Sequence, residues 1–542
     1  MTTDTSSSAD NGQTAASIIA VDTASVDRLH KNAIGLPSVL YFSLAGAAVL
    51  AAVMANTPFI ASSAGASAPL AFVVAGLGLL AFGTSIVYFA RRLSSAGGFY
   101  TWISHGLGTW AAFQSGWLLL GGYALFTLSV LVLLGSLINT AMSTYFHVNL
   151  PGGWVPYALV VTLLTFGVAL LDIKRAAGVV FVFMILEVVT LFVVNTAIDV
   201  RGGASGHDLV HTFTLAGAKV PGVAPGGGLG VCVAMVLAVW MFVGFETSAV
   251  YGEEARNPRV AIPFAILPAL VILLLVYIWS EYSAVIGFGW THAADQLGKN
   301  AYTSWYTLGT TYIGGWFAAV MTVLNITSNL ACAVAFLMAG SRYFYAMGRE
   351  GTLSERFGKT HPKWGSPYVA ILTLLGVSIA LTLIFAFVIQ KSAPGGVTYS
   401  MGIADGKVYT QTDSSTTSYL WLVTAGTMGI LLVYIMVNIA AIVHVWRERH
   451  TFQRWSLFLR FLLPVFSSLI FLIPLGSFVL PAIPGAVGTY FTSLGFAATP
   501  FPFNILPLVV LLWVIGGVVY YWLQSRSSPE RFQFVGKISR DT

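Results

Sequence analysis

Between Lys31 and Arg91 the chain runs 59 residues without an Asp, Glu, Lys or Arg, and between Arg92 and Asp172 it runs another 79. A soluble fold cannot keep such lengths away from water. A hydrocarbon slab of about 30 Å needs roughly 20 apolar residues per helix, so each gap holds two or more membrane crossings. Charged residues are 8% of the chain and hydrophobic residues 57%, against about 25% charged in soluble domains. The sequence pI is about 9.1, but the positive charges lie in short connectors rather than in a patch interleaved with aromatics. That argues against a nucleic-acid partner. Cys232 and Cys332 fall inside apolar segments, which indicates neither a disulfide framework nor a metal site. The first 27 residues are rich in Ser, Thr, Ala and Asp, contain no apolar run of signal-peptide length, and read as a disordered cytoplasmic tail.

The charge-poor windows predict twelve helical spans, near 36–61, 68–90, 109–141, 155–171, 176–198, 230–253, 261–286, 313–341, 368–390, 418–446, 458–480 and 505–524. With the N-terminus inside, 21 of the 26 Lys and Arg residues fall in inner segments. Only Arg201, Lys219, Lys299, Lys391 and Lys407 fall outside, so both termini are expected to be cytoplasmic and the protein to sit in the plasma membrane.

Function then rests on polar groups and helix breaks at membrane depth, because each is costly in lipid. Leu36 to Gly46 is about 15 Å of helix, which places Ala45, Gly46, Ala47 and Ala48 near the midplane. Small residues there allow either close helix packing or an opened backbone that offers N–H groups to an anion. On the second reading a bulky residue at Gly46 would fill the anion position. Asn56-Thr57-Pro58, twenty residues from Leu36, reads as the outer end of the span. Span 6 carries Phe242, Val243, Gly244, Phe245 and Glu246, a helix-weak glycine beside an ionisable group. Glu246 is either a structural acid bonded to freed N–H groups or a participant in transport. Glu253, Glu254, Arg256 and Arg259 read as an inner-surface cap. Glu187 is the only acid between Arg175 and Asp199 and lies about 14 Å into span 5. It is either a structural acid or a carboxyl that exchanges a proton during transport. Asn325, Thr327, Ser328 and Asn329 form a polar group at half depth of span 8. Thr327 and Ser328 are the residues of an alternative sodium site, although such hydroxyls usually bond to their own helix. Tyr123, Thr424 and Thr427 are candidate cavity-lining groups, and Glu281 reads as water-facing at the outer end of span 7.

Three segments carry a resemblance: Ser94 to Trp102, Gly244 to Glu254 with Asn257-Pro258 and Ile262-Pro263, and Ser341 to Gly351. Together, in this order, they resemble the amino acid-polyamine-organocation (APC) permease superfamily over roughly residues 29–525. The resemblance implies an all-α polytopic membrane protein with twelve transmembrane helices in a 5+5 inverted-repeat, LeuT-like fold, two of the helices being C-terminal additions. The implied organisation is a disordered tail 1–28, a transporter domain 29–525 and a cytoplasmic tail 526–542. Carried over, the broken part of span 1 falls on Ala45-Gly46-Ala47, where many relatives have Gly-Ser-Gly, and that of span 6 on Phe242 to Glu246. Glu187 lies at or near the position where some proton-coupled relatives carry a lysine.

The expected function is a secondary active transporter, a permease for small amino acids or related amines, coupled to protons by symport or exchange through Glu187 and Glu246. The expected substrate site is Ala45, Gly46, Ala47, Ala48, Tyr123, Phe242, Val243, Gly244, Phe245, Glu246, Thr424 and Thr427. The alternatives are an organic-cation, polyamine or ethanolamine-type transporter, a sodium-coupled symporter, or a channel. The expected partners are the small-molecule substrate, protons and the lipid bilayer, in a monomer or homodimer. No cofactor, metal or catalytic residue is expected. His207 and His211 lack the Glu of a zinc-protease helix, and Gly358-Lys359-Thr360 lacks the first glycine of a phosphate loop.

Overall fold

Proline and glycine set where the helices begin and break. The computed structural model describes residues 32–170, 173–219, 227–299, 303–386, 399–404, 407–411, 414–493 and 503–536. The expected tail 1–28 and the last six residues of the segment 526–542 lie outside the described residues. Helix α1 spans Leu36–Ala47 and takes Pro37 in its first turn, where a missing N–H costs nothing. It ends at Ala48, and α2 restarts at Val49–Ala64. Then follow α3 Ala68–Ala90, the short α4 Phe99–Leu107, α5 Thr109–Phe146, α6 Trp154–Ala169 and α7 Ile173–Val200. Helix α8, Gly227–Phe242, gives way to a 3-10 segment at Phe245–Tyr251. The chain continues through α9 Pro258–Phe288, α10 Gly315–Arg349, α11 Tyr368–Ile384, α12 Ser414–Arg447, α13 Arg454–Ala482 and α14 Leu506–Ser527.

Among the described residues eight helical runs are long and apolar enough to cross a membrane, the first of them the 55-residue run Leu36–Ala90. Gly228–Phe242 and Phe245–Tyr251 form a further pair bent by 41°, and Trp154–Ala169 and Tyr368–Ile384 are shorter apolar helices. The lipid-facing logic is visible on α7. Val182, Ile185, Val189 and Phe192 are exposed at helical spacing, while Glu187, Thr190 and Asn195 are buried. Apolar outside and polar inside is the arrangement hydrocarbon selects.

At the centre α5 packs against both α10 and α12, α3 against α9 and α13, and α2 against α8. Helix α14 lies at the periphery, with Leu508, Leu511, Leu512, Ile515 and Val519 exposed. The connection from α11 to α12 contains a small hairpin, β1 Tyr399–Ala404 and β2 Lys407–Gln411, paired antiparallel from Tyr399 opposite Gln411 to Ala404 opposite Lys407, with β1 against α2.

Two expectations change here. Asn56-Thr57-Pro58 does not end a span, because α2 continues through Pro58 to Ala64. Asn56 Nδ2 and Thr57 Oγ1 donate back to the carbonyls of Ala52 and Val53, at 2.9 and 2.8 Å. Glu281 does not face water. It is wholly buried in α9, and neither carboxyl oxygen finds a hydrogen-bond partner among the described residues.

Candidate functional site

Two helix breaks meet in the middle of the bundle. In the first, Ala48 adopts φ 46° and ψ 64°, a left-handed conformation that costs a non-glycine residue about 1–2 kcal/mol. In the second, Gly244 adopts φ 114°, which glycine alone accepts readily. The breaks touch main chain to main chain. A Cβ placed on Gly46 would stand 2.7 Å from the Gly244 carbonyl oxygen, and one on Gly244 would stand 2.2 Å from the Gly46 carbonyl carbon. A side chain at Gly46 therefore drives into the backbone of the other break rather than into ligand space, which corrects the expectation for that position.

A helix that restarts in the membrane exposes N–H groups that water cannot satisfy. Here side chains from two other helices supply the acceptors. The Leu50 N–H donates to Glu187 Oε2 at 3.3 Å, and the Ala51 N–H donates to Ser328 Oγ at 3.3 Å. Glu187 is buried on α7 and Ser328 on α10, so α2, α7 and α10 are tied together at the break. The carbonyl end of α1 is bonded as well. Cys332 Sγ–H donates to the Gly46 carbonyl at 3.3 Å and Tyr277 Oη–H to that of Ala47 at 3.3 Å. The same Tyr277 proton is shared with the Met241 carbonyl of α8, the nearer acceptor at 2.8 Å, so the hydroxyl sits between both breaks.

Glu246 is buried and serves the second break directly. Its Oε2 accepts the Gly244 N–H at 2.9 Å, and its Oε1 accepts the Tyr123 hydroxyl at 3.0 Å. Thr247 Oγ1 donates to the Phe42 carbonyl of α1 at 3.0 Å.

Beside the breaks lies a cavity of about 20 Å³ lined by Gly46, Ala47, Ala48, Asn56, Trp240, Val243, Asn329, Cys332, Phe336 and Tyr419 among others. That is room for about one water, far below the several hundred Å³ of a small-molecule pocket. One side is closed by a polar chain. Trp240 Nε1–H donates to Tyr419 Oη at 3.1 Å, and Tyr419 donates to Asn56 Oδ1 at 3.1 Å.

Past the 3-10 segment, at Glu253 and Glu254, two ion pairs are buried. Arg342 holds Glu254 by two bonds, 2.6 and 2.9 Å, and its guanidinium lies 4.6 Å from the Tyr251 ring. Arg349 holds Glu253 at 2.6 and 3.0 Å, and Glu253 Oε1 also accepts the Ala96 N–H at 3.2 Å. Ile34 and Ala255 form an isolated bridge, with the Arg256 N–H donating to the Ile34 carbonyl at 2.8 Å. Glu253 and Glu254 are thus buried links to α10 and not a surface cap.

Of the sequence-predicted residues, Gly46, Ala47, Ala48 and Val243 line the cavity. Gly244 abuts Gly46, and Ala45 packs against Ala331. Tyr123 and Glu246 come together outside the lining. Phe242 packs on Phe72 and Tyr277, and Phe245 on Phe82 and Tyr434. Thr427 Oγ1 donates to the Val423 carbonyl of its own helix at 2.7 Å, and Thr424 is buried without lining the cavity. Thr327 Oγ1 donates to Leu324 of its own helix at 3.0 Å, separating it from Ser328. Sequence reasoning missed Asn56, Trp240, Cys332 and Tyr419 as lining groups. Only Asn56, a polar residue two turns past the small-residue tract, carried a signal.

Apolar helices of membrane length, with two discontinuous ones meeting at a buried polar centre, define an integral membrane protein of the broken-helix type. The chain belongs to the amino acid permease family, whose model matches residues 38–527. It is similar to the branched-chain amino acid permease BcaP of Bacillus subtilis (strain 168), 28% identical over 57% of this chain and 66% of that protein. It is also similar to the lysine-specific permease LysP of Lactococcus lactis subsp. cremoris (strain MG1363), 27% identical over 45% of this chain and 49% of the relative. An uncharacterized transporter of Rhizobium meliloti (strain 1021) is 24% identical over 54% of this chain and 60% of its own length. The matched stretches thus span less than two thirds of these relatives.

Proposed function

We propose that the protein is a secondary active transporter for small or branched neutral amino acids, working by alternating access across the plasma membrane with both termini cytoplasmic. The observation that carries this is the abutment of two broken helices at Gly46 and Gly244, beside a buried acid bonded to the restarted helix. Opposed half-helix ends suit a carboxylate through N–H groups and an ammonium through carbonyls; a substrate carboxylate would take the place that Glu187 and Ser328 hold on the Leu50 and Ala51 N–H groups. The cavity wall supports a neutral side chain, since it contains Ala51, Val130, Met241 and Phe336 and no charged group.

The twelve-span, 5+5 architecture is part of this reading. The run Leu36–Ala90, 55 residues, rises about 80 Å as helix and counts as two crossings. The bent pair and the two shorter apolar helices count as one each. The broken α1/α2 and α8 then open the two halves, and α13 and α14 stand outside the repeat. Transport is rocking of α1/α2, α3, α8 and α9 against α5, α6, α10 and α11, with the two closures opening in turn.

Glu187 is the proposed proton carrier. Its bond to the Leu50 N–H joins its protonation to the geometry of the break, and Glu246, committed to Gly244 and Tyr123, is the lesser candidate. Sodium coupling is less well supported, because Thr327 bonds back to its own helix.

The test is counterflow in liposomes containing the purified protein, with an amino acid and its decarboxylated amine as competitors at equal concentration. The amino acid should compete and the amine should not. Equal competition by the amine would remove carboxylate capture and favour an organic-cation substrate. In Glu187→Gln, accumulation driven by a pH gradient should vanish while exchange at equal pH survives. Each pH unit is worth about tenfold in accumulation for one coupled proton, so the loss is easily read.

A further inference from the structure

At the end of the bundle where α3 runs into Arg91 and Arg92, a second and larger cavity of about 470 Å³ lies between α3, α12 and α13. Its head is cationic. Arg91, Arg92 and Arg460 all line it, and two of these guanidiniums share the same pair of rings. Arg92 lies 4.0 Å from the Tyr88 ring centre and 5.9 Å from that of Phe452, while Arg460 lies 5.3 and 4.6 Å from the same centres. Glu448 lies 3.7 Å from Arg92 and also accepts the Tyr88 hydroxyl at 3.0 Å. Three cations, Arg92 and Arg460 over the same two rings and Arg91 beside them, face one paired acid among the described residues and repel one another unless a further anion joins them.

The rest of the wall is hydrocarbon, with Leu267, Val445, Leu459 and Leu463 below the arginines. The α13 side carries exposed Trp455, Phe458 and Leu462, as expected of a surface bathed in lipid. We propose that this cavity binds an anionic phospholipid, with Arg91, Arg92 and Arg460 holding the phosphate and the leucine wall taking the first part of an acyl chain. Arginine forks match phosphate oxygens, and basic pockets between transmembrane helices suit such headgroups. A free phosphate shares the headgroup chemistry but has no use for the apolar wall. Because α3 and α9 meet here and both belong to the moving set, a lipid wedged against α13 would bias their position.

The test uses the full chain in phosphatidylcholine nanodiscs, with and without phosphatidylglycerol, reading the thermal midpoint. Phosphatidylglycerol should raise it by several degrees, and millimolar inorganic phosphate in phosphatidylcholine discs should not. Arg92→Gln with Arg460→Gln should abolish the rise. Leu463→Trp keeps all three arginines, fills the apolar wall, and should abolish it too, which covers the case in which the double variant does not fold. A rise that survives in either folded variant overturns the site. A rise reproduced by inorganic phosphate overturns the lipid in favour of a soluble anion.

Discussion

Arg342 and Glu254 offer the sharpest test of the proposed alternating access, in which their pair is one of the two closures. Their side chains are each 4% exposed, and two bonds of 2.6 and 2.9 Å tie α10 to the turn that follows the 3-10 segment. In Arg342→Met the carboxylate would stay buried without its partner, a loss of about 3–5 kcal/mol. At about 1.4 kcal/mol per factor of ten, the closed form loses roughly two to three and a half orders of magnitude against an open one. Cys332 is the native reporter, since it lines the cavity and is 4% exposed. In a Cys232→Ala background, alkylation of Cys332 by a small maleimide should accelerate on the order of 100-fold in Arg342→Met. Labelling is done below the variant's own unfolding midpoint, so that global unfolding does not contribute. Glu254→Leu combined with Arg342→Met leaves no unpaired charge and should return the rate close to that of the parent. An unchanged rate in folded Arg342→Met would refute the gating role of the pair.

Gly46→Ala should lower stability by about 1–3 kcal/mol through overpacking against Gly244, read as a drop in thermal midpoint; a neutral result would mean that the two breaks do not touch. Glu281→Met should raise the midpoint, because a buried acid without a hydrogen-bond partner costs about 1–3 kcal/mol, and a fall would reveal a partner that the buried acid serves. Removing residues 529–542 takes away the Gly536 N–H that donates to Glu350 at 2.7 Å and the Val535 carbonyl that accepts from Ser104 at 2.7 Å. Since Tyr100 also donates to Glu350, truncation should speed hydrogen exchange in α4, and unchanged exchange would show that the C-terminal segment does not brace it.

Membrane location and the positions of the helices were legible because hydrocarbon leaves no freedom about charge. The breaks were legible for a related reason. Gly46 stands at a depth that helix rise gives, glycine in mid-membrane signals either close approach or unwinding, and the resemblance is what placed breaks there and at Gly244. What the sequence hid is pairing across helices. Nothing local to Glu254 announces that Arg342, 88 residues away, will bury it, and Glu281 carries no mark distinguishing an interior acid from one at the water surface. Trp240, Tyr419 and Cys332 look like ordinary packing residues until α8, α12 and α10 are set side by side. Even Ala48, the residue that turns left-handed, is indistinguishable in sequence from its neighbour Ala47.

The contact between Gly46 and Gly244 has a consequence for how such a protein can change over generations. Main-chain atoms are the same whatever the codon, so a recognition surface built from them is inherited intact as long as both glycines persist. Substitutions at Val130, Met241 or Phe336 can reshape the room for a side chain without disturbing the part that would read the amino and carboxyl groups. On the proposed reading, selection for a new nutrient would act on a few wall positions, while selection against loss would act on two glycines.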